Sequence, residues 1–105
     1  MALFRRFDVF RRFPGGVRIY RCFEWIEGGG FSVQSLDTIR AGDPSSVAAQ
    51  CSAHEANLIE LFEEIDPRDR SGSYPTIRVA IEAHDRAFGI TEKDSRAEGP
   101  QAKGW

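Results

Sequence analysis

The stretch Val17-Arg18-Ile19-Tyr20-Arg21-Cys22-Phe23-Glu24-Trp25-Ile26, Glu27-Gly28-Gly29-Gly30, Phe31-Ser32-Val33-Gln34-Ser35-Leu36-Asp37-Thr38-Ile39-Arg40 reads as strand, turn, strand. β-Branched and aromatic residues fill both arms. Three consecutive glycines permit the positive φ that a reversal needs. In the first arm Val17, Ile19, Phe23 and Trp25 share one face, with Arg21 as an intruder. Arg18, Tyr20, Cys22, Glu24 and Ile26 share the other, a mixed face expected to be partly solvated. In the return arm Phe31 and Val33 share a face, but Leu36 and Ile39 break parity. That break predicts a bulge near Ser35 or at the strand's end.

Upstream, Phe4-Arg5-Arg6-Phe7 recurs as Phe10-Arg11-Arg12-Phe13. Neither a helical nor a strand period dominates there. The aromatic content and the turn chemistry of Pro14-Gly15-Gly16 favour a strand over 3–13, with an irregular arm or short helix as the alternative. A third strand would also stabilise the hairpin, because two strands alone are marginal in water.

Downstream, Asp43 and Pro44 read as N-cap and first position of a helix over about 44–65. Val47, Cys51, His54, Leu58, Leu61, Phe62 and Ile65 form its apolar stripe. Glu60, Glu63 and Glu64 sit where the helix dipole disfavours negative charge, which suggests the basic N-terminal segment as their partner. Asp66 to Pro75 is a polar loop. Thr76 then caps a second helix over about 77–88, with Ile77, Ala80, Ile81, His84 and Phe88 as its stripe and Gly89 closing it. From Thr91 the chain is polar and aperiodic, so 91–105 reads as a disordered tail beside a single α+β domain over 1–90. The expected architecture is a small antiparallel sheet packed on one face by two helices.

A chain of 105 residues supports one modest core, and 41% hydrophobic with 29% charged residues is ordinary globular composition. The net charge of -2 conceals a polarity along the chain. Met1 to Arg21 carries six Arg against one Asp (+5), and Ala41 to Arg70 carries seven acids against two Arg (-5). The cheapest reading of that asymmetry is internal neutralisation. The run Phe7-Asp8-Val9-Phe10, broken by Arg11, is not a signal-peptide core, and no apolar run approaches the ~18 residues of a membrane span. With only two cysteines, the chain is expected to be cytoplasmic.

No catalytic, cofactor or metal motif stands out. Cys51 and His54 lie one helical turn apart, and Cys22 and His84 complete a nominal two-Cys, two-His set, but the spacing matches no zinc pattern. Burial in the stripe is the better reading of Cys51. His84 and Asp85 are neighbours expected to point apart on a helix. Gly28-Gly29-Gly30 precedes a strand, so it is a turn and not a phosphate loop.

The candidate partner-binding residues are Arg5, Arg6, Phe7, Phe10, Arg11 and Arg12 in the N-terminal segment, and Arg68, Arg70 and Tyr74 in the loop. The expected function is a non-catalytic protein-interaction or regulatory module whose sheet face or charged loop meets a protein partner, or which pairs with itself through a sheet edge or the aromatic face. The alternative is a nucleic-acid binder in which Arg contacts phosphates and Phe stacks on bases. No membrane role is expected.

Overall fold

Three ten-residue strands form an antiparallel meander in the computed structural model, which describes residues 2–90: β1 (Phe4–Phe13), β2 (Gly16–Trp25) and β3 (Phe31–Arg40), in the order β1-β2-β3. Helix α1 (Val47–Glu64), the single turn α2 (Pro67–Arg70) and helix α3 (Ile77–Ala87) follow. The α+β class, the strand over the N-terminal segment and the two main helices are as the sequence predicts. The expected tail over 91–105 lies outside the described residues. Among the described residues no helix is long and apolar enough to cross a membrane.

β1 turns into β2 through Pro14 and Gly15 alone, since Phe13 faces Gly16. Pro14 presets a negative φ and Gly15 takes φ 110°. Between β2 and β3 the register passes from Arg21↔Ser35 to Cys22↔Val33, so Gln34 is the extra residue of a bulge. That bulge is the parity break visible at Ser35, and it returns Leu36 to the face of Phe31 and Val33.

The helices lie on opposite faces of the sheet, not on one. Phe62 of α1 packs on Phe4 and Phe23 (ring centroids 5.7 and 5.2 Å). Ala80 of α3 packs with Tyr20, Cys22 and Val33. Phe23 and Cys22 are adjacent in β2, so their side chains leave by opposite faces. The reason is the apolar content of both faces: Phe4, Ile19 and Phe23 need one cover, and Phe7, Val9, Tyr20, Val33 and Leu36 need another. The mixed face expected to be partly solvated is accordingly the centre of the core, with Tyr20 1% and Cys22 0% exposed.

The chain changes face by wrapping the outer edge of β3. Phe31 and Tyr74 exchange two backbone hydrogen bonds of 2.8 Å. The Gln34 amide donates to the Ser32 and Ser71 hydroxyls (2.9 and 3.0 Å) and to the Pro67 carbonyl (3.5 Å). At the far end the Gln50 side chain accepts from Arg40 N–H (3.0 Å) and donates to Arg40 C=O (2.9 Å), a pseudo-strand contact. The polar loop is therefore a strap, containing α2 capped by Asp66, whose carboxylate accepts from Arg68 N–H at 2.9 Å.

Thr76 caps α3 as expected, accepting from Val79 N–H (3.1 Å). The cap of α1 is Ser46, accepting from Ala49 N–H (3.0 Å), not Asp43. Asp43 instead accepts from Ser45 N–H at 2.8 Å, a local turn that commits its carboxylate before the helix begins.

Gly16 closes against β3 at the sheet's corner, where a Cβ would overlap the Ile39 carbonyl oxygen. Gly16→Ala is expected to lower the unfolding free energy by about 1–3 kcal/mol, the usual range for overpacking. Urea titration followed by circular dichroism would read this as a lower midpoint at unchanged slope.

Candidate functional site

Arg21, the intruder of β2, is 5% exposed and lies beneath α1. Its Nη1 donates to Asp8 Oδ2 of β1 (2.9 Å) and its Nε to Asp37 Oδ2 of β3 (2.8 Å), so one guanidinium ties the three strands. Asp37 Oδ1 lies 3.3 Å from His54 Nδ1 of α1. Arg6 sits 3.8 Å from Asp8 and forms a fork with Glu55 of α1, two bonds of 2.6 Å. That fork holds the Glu55 carboxyl below its ordinary range and raises the Arg6 guanidinium. The acid that meets the basic segment is thus Glu55; Glu60, Glu63 and Glu64 are exposed at the helix end. Among the described residues Asp8 Oδ1 is buried without a hydrogen-bond partner, which leaves Asp8 underbonded in an otherwise matched network.

The opposite face carries a second polar group. Tyr20 O–H donates to the Asp85 carboxylate (2.9 and 3.1 Å), which also accepts from Arg11 Nη1 (3.2 Å). His84 stands edge-on to Tyr20 with ring centroids 5.8 Å apart, and its Nδ1 is 3.5 Å from Asp85. His84 and Asp85 therefore lean over one tyrosine instead of pointing apart. Burial, then the Asp85 contact, push the Tyr20 hydroxyl up to about 12. Burial likewise pushes the Cys22 thiol up to about 12, so it is a packing group and not a nucleophile at neutral pH. Cys22 and His84 belong to the α3 side of the sheet, whereas Cys51 and His54 belong to α1 on the other side, so the sheet separates the nominal metal set.

The basic residues marked by the sequence are largely matched by internal partners. Arg5 donates to Glu24 (2.6 Å) and stacks 4.8 Å over Phe7, whose ring meets Phe31 edge-on at 6.1 Å. Arg6 and Arg11 take Glu55 and Asp85. Arg12 is exposed, and Phe10 is 63% exposed. Arg68 forks onto Asp66 (2.7 and 3.0 Å). Arg70 and Tyr74 line a cleft of about 250 Å³ with Gln34, Ser71, His84 and Phe88, so the loop candidates and the N-terminal candidates do not form one site.

What the N-terminal candidates share is the outer edge of β1. Ile26 N–H donates to Leu3 C=O (3.0 Å), and the β1–β2 register continues unbroken from there. Odd-numbered residues of β1 therefore bond to β2, and Phe4, Arg6, Asp8, Phe10 and Arg12 turn their N–H and C=O groups outward. Among the described residues no strand or strap covers this edge, and both helices pack closest to β3. Sequence parity could have located the exposed ladder, but not which edge the strap would cover. Comparison with family models, with curated proteins and with solved structures gives no match.

Replacing the hub by Arg21→Met strands two carboxylates and is expected to destabilise the fold by about 3–5 kcal/mol, the loss typical of breaking a buried pair. A drop of under about 1 kcal/mol in chemical denaturation would show that the guanidinium is dispensable. Tyr20 gives a pH signature. Its folded-state value lies above the ordinary 10.0, so its contribution is complete below pH 10 and is lost as pH rises toward about 12. Tyr20→Phe should flatten that alkaline fall in melting temperature.

Proposed function

We propose that this chain is a small, non-catalytic protein-interaction module that works in the cytoplasm and engages its partner by strand addition along β1. The carrying observation is the contrast between the two sheet edges. β3 is covered at Phe31, Gln34 and Arg40 by Tyr74, the α2 strap and Gln50. β1 presents a regular edge of ten residues with no bulge.

Charged side chains normally guard an edge against pairing. Here Arg5, Arg6, Asp8 and Arg11 are each matched inside the molecule, which removes most of their repulsion toward an incoming strand. The same matching weakens support for nucleic-acid binding, because cations already paired with carboxylates release few counterions from a polynucleotide.

A fluorescent peptide copying residues 3–13 tests this reading. Anisotropy should report binding to the full chain that survives 0.5 M salt and falls at least tenfold in Phe10→Lys, a change at an exposed side chain that leaves the fold intact. A single-stranded polynucleotide should not bind at low salt. Failure of the monomeric chain to bind the peptide would remove strand addition, and salt-sensitive polynucleotide binding would restore the alternative.

A further inference from the structure

We propose that the strand added to β1 is the β1 of a second copy, paired antiparallel about a two-fold axis at Asp8 to give one six-stranded sheet from two three-stranded ones. This rests on the strand-addition reading and names its occupant.

The sequence of the edge fits itself. A two-fold axis perpendicular to the sheet keeps like faces together, so residues opposite one another must share parity. Because the even-numbered residues carry the outward groups, an axis at Asp8 sets Phe4 against Arg12, Arg6 against Phe10 and Asp8 against Asp8 of the second copy. All five outward residues then find hydrogen-bonded partners. Moving the axis to Val9 puts Phe4 opposite Pro14, outside the strand and without a donor, and puts Arg6 opposite Arg12.

On the α1 face this register alternates Phe and Arg across the junction. Phe10, the most exposed side chain of the sheet's apolar set at 63%, is covered by the stem and guanidinium plane of Arg6 from the other copy. On the α3 face Phe7 meets Val9. A cleft of about 360 Å³ lined by Val9, Arg11, Ile77, Ile81 and Asp85 lies beside that contact and is open to the side chains of the added strand. Three like contacts oppose the arrangement, Asp8 with Asp8 once and Arg5 with Arg11 twice. Each brings its own counterion: Arg21 at 2.9 Å for Asp8, Glu24 at 2.6 Å for Arg5 and Asp85 at 3.2 Å for Arg11. In this register the Phe-Arg-Arg-Phe duplication sets Phe4 against Arg12 and Arg6 against Phe10 across the junction.

Sedimentation equilibrium of the full chain tests the occupant, and double electron–electron resonance tests the register. The label goes on Arg12→Cys in a Cys51→Ser background, Cys22 being buried. The expected results are a dimer that Phe10→Lys shifts at least tenfold toward monomer, and a backbone separation between labelled positions of about 27 Å, eight residues of strand. A separation near 20 Å (an axis at Val9), or a dimer that Phe10→Lys leaves unchanged, would overturn the assignment. A monomer that still binds the 3–13 peptide would overturn the second copy while leaving strand addition standing. A monomer that binds no peptide would overturn both.

Discussion

The fold depends on one buried guanidinium. Arg21 lies in the middle strand, and its two carboxylate partners come from the two flanking strands. A buried cation is costly unless it is both paired and hydrogen-bonded. Arg21 has both, and the geometry of its fork selects the alignment in which Asp8 and Asp37 arrive together. A slip of one residue would send Asp8 or Asp37 to the opposite face, against the apolar cluster around Tyr20. The three glycines of the β2–β3 turn cannot supply that discrimination. A slipped register would therefore leave buried charge unpaired, a cost that the observed alignment avoids.

The second constraint is that both faces of a three-stranded sheet are apolar. A sheet with one solvated face could have been covered by an antiparallel helix pair on the other. Here α1 and α3 must sit on opposite sides, and the connection between them must pass an edge. The strap does so at β3 and uses the passage to pair with Phe31 and to satisfy Gln34 at the bulge. Gly30 belongs to the same device, since any side chain there would overlap Ser73. Among the described residues, covering β3 leaves β1 as the open side, so the position of the candidate interaction edge follows from the route of a loop.

Much of this was legible in the sequence, and the gaps have physical causes. The hairpin, the bulge near Ser35, the Thr76 cap and the Gly89 terminus each rest on a local signal, either parity or capping chemistry. Gly89 takes φ 69° as a closing residue should. The two-sided packing was hidden because Arg21 in one face and Arg18 and Glu24 in the other made both look half polar. A charge counts as solvated in a pattern reading, and only the partner contributed by another strand reverses that. For the same reason the helix-dipole argument points the basic segment at Glu60, Glu63 and Glu64, whereas Glu55, nearer the middle of α1, is the residue within reach of Arg6. The candidate partner-binding residues stand out by composition, but their grouping into an edge follows only from the hydrogen-bond parity of β1.

The separation in sequence between the basic strand and its acids has a consequence in time. Arg6 and Glu55 are 49 residues apart, and Arg11 and Asp85 are 74 apart. At a synthesis rate of ~5–20 residues per second, Arg11 precedes Asp85 from the ribosome by roughly 4–15 s. A β1–β2 hairpin closes far faster, within about 1–10 μs. During that interval the nascent hairpin already holds its Arg5–Glu24 and Arg21–Asp8 pairs, but Arg6 and Arg11 lack the carboxylates that later match them. α1 and then α3 supply those carboxylates in order, so Arg6 is matched before Arg11.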